Sequence, residues 1–215
     1  MNDVLVNAIA DLDEDKVLAV VKDMIQLGDT TLSIIEECQK GVEIVGRRYS
    51  EGRYFLSDLV MSESILKDVI EIIEPYLPRS VKKSSGIHII MGTIEGDIHD
   101  LGKNIVIYLL RSAGYRIHDL GVNVPPEKFV NAVKNTGASM VGICMLLSSC
   151  VRSVKKVIEL LVEAGLRDRV RVVLGGYAVD PYIKDYTGAD YFSNDAIEAL
   201  EIFDRLSGIT RVLSK

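Results

Sequence analysis

Asp97, His99, Asp100 and Gly102 fall within nine residues, GDIHDLGKN (Gly96 to Asn104), where one apolar run, IHIIMGTI, ends and another with helical spacing begins. A carboxylate two residues from an imidazole can accept a hydrogen bond from one ring nitrogen and set the tautomer. The other nitrogen then carries a lone pair aimed outward, the arrangement of a metal-ligating histidine. The bland alternative is a turn histidine bonded to nearby backbone. One histidine cannot hold a bare metal ion. His88 and His118 lie inside strand candidates, as packing or surface residues, and the chain has no Cys-x-x-Cys or His-Glu-x-x-His. A zinc site is therefore not expected. A metal already chelated by a macrocycle needs only an axial ligand. A dinucleotide site would put Gly-x-Gly-x-x-Gly at this turn. GDIHDLG has the wrong glycine spacing, and two carboxylates that repel a pyrophosphate. The phosphate-binding pattern GxxxxGK[ST] is also absent.

The elements that must position this turn change rhythm along the chain. In the first half, Val17, Val20, Val21, Met24 and Ile25 share a helical face. Gly28 is the stop signal, and Asp29 or Thr30 can cap the next helix. Ile34, Ile35, Cys38, Val42 and Val45 form a second stripe, and Leu59, Leu66, Val69, Ile73 and Leu77 a third. With a short helix near Val4 to Ile9, this predicts a four-helix bundle over residues 1–85. Phe55 and Leu56 begin what reads as its longest helix. LPRSVKKSSG, about residues 77–86, reads as a linker. Over residues 86–215, β-rich runs (IHIIMGTI, YRIHDLG, SMVGICMLL, RVRVVLGG and DYFS) alternate with helical segments near 102–113, 126–136, 150–164, 178–186 and 195–206. Gly114, Gly137, Gly165 and Gly188 stand before the next strand as left-handed stops. The expectation is an α/β, Rossmann- or flavodoxin-like, doubly wound parallel sheet of five strands.

The chain has 215 residues, 48% of them hydrophobic, and a formal charge of -6. That charge argues against nucleic-acid binding, which needs a basic stripe. Three cysteines, Cys38, Cys144 and Cys150, make no disulfide framework and fit a reducing compartment. The start has no basic n-region, and no apolar run approaches the roughly 20 residues that span a bilayer. A soluble, cytoplasmic protein with no membrane partner is expected.

Ligands of open parallel sheets bind beyond the carboxyl ends of the strands. Here those ends are EGDIHDLG, CMLLSSC and GGYAVD. DIHDLG matches the Asp-x-His-x-x-Gly signature of cobalamin-binding domains. That signature also expects Ser-x-Leu after the third strand and Gly-Gly after the fourth, where this chain has Cys144-Met145-Leu146 and Gly175-Gly176. DIHDLGKNIV and DLGVNVPPEKFV resemble the matching stretches of cobalamin-dependent methionine synthase. YSEGRYFLSDLVMSESILKDVIEIIEPYL resembles the helical cap that precedes them. A cap and cobalamin domain without a catalytic barrel is similar to the corrinoid subunits of methyltransferase systems.

The resemblance implies a carrier of cobalamin, and so of cobalt. Co(I) takes a methyl group from a substrate-specific partner methyltransferase of the methanol, methylamine, betaine or methoxyaromatic type. Methyl-Co(III) passes it to a second methyltransferase acting on tetrahydrofolate or a thiol, and a reductive activase restores Co(I). It also implies residue roles: His99 as lower axial ligand, and Asp97 as its holder and proton relay, with Asp100 in the same loop. Gly102, Leu146, Ser148, Gly175 and Gly176 line the cofactor's nucleotide tail. Tyr191, Phe192, Ser193 and Asp195 close its pocket, and Phe55 and Leu56 shield the upper corrin face, their bland reading being bundle core. Cys144 replaces the signature serine, and Cys150 replaces the serine or threonine that continues the relay in the family. A thiol is the weaker donor. The small subunit of an adenosylcobalamin mutase, a cobalamin-based light sensor and a flavodoxin-type module remain as alternatives. Mutase subunits usually lack the cap, and a sensor needs a DNA-binding region.

Overall fold

The computed structural model describes residues 3–76 and 86–208. The chain divides into two compact units, Met1–Leu77 and Pro78–Lys215. Apart from Gly86, the expected linker lies outside the described residues, as does Leu77 of the third helical stripe.

The first unit contains α1 (Val4–Ala10), α2 (Glu14–Leu27), α3 (Thr31–Ser50) and α4 (Leu56–Ile73). Thr30 caps α3 by accepting the Ser33 N–H on its hydroxyl, and Gly28 closes α2 in the left-handed region. Leu5, Ile9, Val17, Val21, Ile34, Cys38, Val45, Ile65, Val69 and Ile73 form the core. At Gly41 a Cβ would stand 2.7 Å from the Ile9 Cβ, so α1 and α3 meet where no side chain intervenes.

The helical unit corrects two expectations. The longest helix is α3, with 20 residues, and not the 18-residue α4. On α4 the buried set is Ser62, Ile65, Val69 and Ile73, while Leu59 and Leu66 are half-buried. Val69 and Ile73 belong to both sets, and the buried face is turned toward Ser62 and Ile65 and away from Leu59 and Leu66.

The second unit alternates β1 (His88–Thr93), α5 (Leu101–Ser112), β2 (Arg116–Asp119), α6 (Pro126–Thr136), β3 (Met140–Cys144), α7 (Val151–Glu163), β4 (Arg171–Gly175), α8 (Pro181–Thr187), β5 (Tyr191–Ser193) and α9 (Ala196–Ser207). The five strands run in the order β2-β1-β3-β4-β5, and every pairing is parallel. Strands covered on both faces carry unbroken apolar runs. Accordingly Ile89, Ile90, Val141, Ile143, Val172 and Leu174 are all buried. Gly114, Gly137, Gly165 and Gly188 all have positive φ, as their places before the strands require. No helix among the described residues is long and apolar enough to cross a membrane.

Candidate functional site

The carboxyl ends of β1, β3 and β4 meet through backbone hydrogen bonds that continue past the strands. Ile94 donates to the Cys144 carbonyl, and Met145 donates to the Gly175 carbonyl. These bonds place the loops after β1 and β3 side by side. The β1 loop turns at Gly96, where φ is +89°, a backbone region that suits glycine. Asp97 follows and is fully buried.

Asp97 is the hub of the rim. Its Oδ1 accepts from His99 Nδ1 at 2.6 Å and from the His99 N–H at 3.0 Å. Its Oδ2 accepts from the N–H groups of Leu146 at 2.6 Å and Leu147 at 3.0 Å. Burial pushes this carboxyl's pKa up. The His99 backbone and ring donors, with the Leu147 and Leu146 amides, outweigh it and hold the pKa below its ordinary value. A buried anion with four donors is a fixed negative charge, and it makes Nδ1 of His99 the protonated nitrogen. Nε2 has no hydrogen-bond partner among the described residues, and the His99 side chain keeps 43% of its surface exposed. Thr93, fully buried at the end of β1, donates its hydroxyl to the His99 carbonyl at 2.8 Å.

Around this imidazole the rim is apolar and open. Ile98 is 72% exposed, and Leu146, Leu147 and Val122 are each about 40% exposed. Beyond Gly102, near the start of α5, a Cβ would meet nothing within 4 Å. Among the described residues no group of three histidine, cysteine or acidic side chains could hold a metal ion. His88 and His118 are engaged with each other, 2.8 Å apart across β1 and β2. One aimed imidazole on an open apolar rim fits a metal that brings the rest of its coordination shell with it. It does not fit a bare ion.

The structure brings Asp97, His99 and Leu146 together at one rim, and Cys150 makes no hydrogen bond to Asp97. The thiol of Cys150 is buried, and its hydrogen-bond contact among the described residues is the Ser149 hydroxyl, 3.9 Å away. The far oxygen of Asp97 ends on two peptide N–H groups and not on Cys150. Cys144 ends β3 beside Asp97. Burial pushes its thiol up to about 11, and the Asp97 charge pushes the same way, so the thiol stays protonated near neutral pH. Asp100 occupies the N-cap position of α5 but makes no side-chain cap bond.

Gly175 ends β4, and Gly176 follows it. Gly176 has φ of +128°, and a Cβ there would lie 2.1 Å from the Met145 carbonyl oxygen. Any other residue would drive the β3 and β4 loops apart. Ser148 is exposed.

The four residues expected to close a pocket near β5 are each engaged within the α/β unit, and the Ser193 hydroxyl and the Asp195 backbone bond each other. Tyr191 has the Arg205 guanidinium of α9 over its ring, 5.4 Å from the centroid. Phe192 packs on the core cluster that contains Val172 and Leu174. The Ser193 hydroxyl is 2.7 Å from a Glu198 carboxylate oxygen, and Asp195 caps α9 through the Ile197 and Glu198 N–H groups.

Two asparagines that sequence reasoning passes over hold the rim. Asn194 donates to the carbonyls of Gly176, Tyr177 and Val179, spanning the loop after β4. Asn123 accepts the Gly96 N–H at 2.8 Å. Both stand after strands, where a short amide side chain can bond backbone, and that is the only local signal.

In the helical unit, Phe55 and Leu56 are not core: they are 73% and 66% exposed. Phe55 occupies the N-cap of α4, a position that favours Ser, Thr, Asp or Asn. Its N–H donates to the Asp58 carboxylate at 2.7 Å. Tyr54 just before it is tied down, bonding the Ala10 carbonyl and Arg48, and Arg48 also reaches the Ala10 carbonyl and Asp11. The chain thus anchors one aromatic and presents the next.

Two models described as B12 binding domain match the chain, one over residues 1–74 and the other over residues 87–201. The dimethylamine corrinoid protein of Methanosarcina barkeri is 36% identical, over 91% of this chain and 92% of that protein. The structure of the Methanosarcina barkeri monomethylamine corrinoid protein superposes with a TM-score of 0.86 at 29% identity, covering 94% of this chain and 96% of that one. A chain of the methanol:cobalamin methyltransferase complex from the same organism matches at 29% identity with a TM-score of 0.55, over 96% of this chain and 79% of that one.

Proposed function

The chain belongs to the B12-binding corrinoid proteins of methyltransferase systems, and from that premise we propose that it carries methyl groups between two partner enzymes, with His99 as the lower axial ligand of its corrinoid. The bound cobalt supplies both the nucleophile and the seat of the methyl group. The chain's own residues hold and shelter it.

The observation that carries this reading is the His99 imidazole. Its Nδ1 is held by buried Asp97, its Nε2 is open, and it stands where no bare-ion site exists among the described residues. Gly102 leaves open space, and Leu146 and Ser148 flank the same rim, which supports their assignment to the nucleotide tail. The close approach at Gly176 gives that glycine a structural reason in any case, whereas a Cβ at Gly175 would lie 3.9 Å from the Ser193 carbonyl oxygen, an ordinary contact. Phe55 and Leu56 are assigned the shielding of the upper corrin face. Exposing a phenylalanine at a helix N-cap has no benefit to the helix itself.

Methylamines are the first methyl donors to test, because dimethylamine and monomethylamine corrinoid proteins are relatives. A substrate-specific methyltransferase is the first partner, by the example of the methanol:cobalamin methyltransferase complex. A second methyltransferase, acting on tetrahydrofolate or a thiol, and a reductive activase complete the proposed cycle. The test is direct. Protein reconstituted with hydroxocobalamin should hold close to one cobalt per chain. In its Co(II) form, nitrogen-15 histidine should change the ligand splitting of the electron spin resonance spectrum. His99→Ala should abolish that change. A colourless protein, or a splitting indifferent to labelled histidine, would refute the reading.

A further inference from the structure

We propose that Asn123 is a positioning residue for the His99 ligand, acting through the main chain of Gly96 and Asp97. The inference rests on His99 being the axial ligand. It starts from DLGVNVPP, the loop between β2 and α6, to which no role has been given. This loop runs beside the end of β1 as a strap. Thr93 donates to the Gly121 carbonyl, Val124 donates to the Thr93 carbonyl, and Glu95 donates to the Val124 carbonyl, with N···O distances of 2.9 to 3.0 Å. Ile94 and Val124 form a parallel bridge.

Asn123 carries the strap's contact with the ligand loop. Its Oδ1 accepts the Gly96 N–H at 2.8 Å, and its own N–H donates to the Asp97 carbonyl at 2.9 Å. One residue therefore closes a ring around Gly96 and Asp97, the two residues that set the direction of the carboxylate. Asn123 holds a φ of +50°, one of two positive values outside glycine among the described residues. Asparagine and aspartate tolerate this conformation better than other side chains.

The strap is also fixed at its start. Asp119 takes both carboxylate bonds from Lys103 at 3.0 Å and accepts the Gly121 N–H at 2.9 Å. Lys103 is buried on α5, directly after the ligand loop. The strap thus joins the segment before His99 to the helix after it, without using the β3 loop. The Asp97 carboxylate can face His99 on one side and Leu146 and Leu147 on the other only while its backbone is held. Releasing Gly96, whose φ of +89° leaves it many alternatives, lets Asp97 turn and the imidazole lose its aim.

The experiment compares wild type, Asn123→Gly and Asn123→Asp as full-length protein loaded with cobalamin. Asn123→Gly keeps the backbone conformation and removes the acceptor. Asn123→Asp keeps both. The readouts are nitrogen-15 histidine splitting per bound Co(II), cobalamin Kd and the melting temperature of the unloaded protein. The expected result is a Kd raised on the order of 10-fold in Asn123→Gly, the size of other losses behind a ligating histidine. A fraction of its bound cobalt should also lack histidine splitting, while Asn123→Asp should match wild type. A lower melting temperature with unchanged splitting and Kd would leave Asn123 a purely structural residue and overturn the proposal. Equal impairment of Asn123→Gly and Asn123→Asp would overturn it too. A wild-type spectrum without histidine splitting would instead refute the ligand assignment itself, and is seen before any variant is made.

Discussion

Asp97 illustrates how a single buried charge orders a site. Its two oxygens are fully committed, one to His99 and one to the amides of Leu146 and Leu147. Asparagine can offer only one carbonyl oxygen, so its amide group must face donors on one side or the other. Asp97→Asn should cost about 1–3 kcal/mol of stability through unsatisfied buried donors. It should also weaken corrinoid binding on the order of 10–100-fold. Denaturant titration and equilibrium binding measure the two effects separately. The sign of the pH dependence comes from the lowered pKa. The stabilisation is present above the ordinary value of 3.8 and is lost as pH falls below it, through the folded value. The acid unfolding curves of wild type and Asp97→Asn should therefore converge below that pH.

Cys150 makes the opposite case, since its place after the third strand matches the family's relay residue but its thiol does not reach Asp97. Cys150→Ser should leave histidine ligation and its pH dependence unchanged. The buried hydroxyl should cost about 1–3 kcal/mol, measured by denaturation. A shifted Co(II)/Co(I) potential in this variant would restore the relay.

Helix α4 separates what a helix needs from what a ligand needs. Serine at position 55 is a better N-cap than phenylalanine, and the ring of Phe55 is mostly exposed. Phe55→Ser should therefore leave stability unchanged or raise it by about 0.5–1 kcal/mol, while photolysis of the methylated holoprotein accelerates. A loss of about 3–5 kcal/mol, the cost of truncating a core phenylalanine, would return Phe55 to the bundle interior. Gly41 tests packing in the same unit. A methyl there meets the Ile9 side chain at 2.7 Å and the Val6 carbonyl at 3.0 Å. Gly41→Ala should destabilise the helical unit by about 1–3 kcal/mol despite alanine's better helix propensity. Far-ultraviolet circular dichroism during urea unfolding is the readout. Packing also decides the apolar face of α4. LVMSESILKDVIEII is so rich in apolar residues that two adjacent faces satisfy helical spacing, and only the neighbouring helices select Ile65 over Leu66.

At the scale of the whole molecule, each unit buries its own apolar set, and His99, the proposed ligand, belongs to the α/β unit. A ligand that binds only the folded state stabilises it by mass action. Cobalamin at 100 times its Kd should add about 2.7 kcal/mol to the stability of the α/β unit. His99→Ala at the same concentration should gain clearly less, as its Kd is higher. Thermal melts with and without cofactor measure the difference, and equal shifts in both proteins would mean that His99 contributes no binding energy.

Most of the architecture is legible in order along the chain, because it rests on local periodicity. The helical spacing before residue 76, the short β-rich runs after residue 86 and the glycine stops are properties of neighbouring residues, and they suffice for a helical unit and then a parallel five-stranded sheet. The pairing of Asp97 with His99 is legible for the same reason, as the two lie two residues apart. The rest depends on residues far apart in the chain. The amides of Leu146 and Leu147, the strap carrying Asn123 and the clasp of Asn194 reach their partners only after the five strands align. Backbone donors leave no mark in a residue alphabet, which is why the family resemblance points to Cys150 as a relay residue while the Leu146 and Leu147 amides that bond Asp97 go unseen. Whether an apolar residue such as Phe55 is core or display is likewise a question of what covers it, and only tertiary packing answers it.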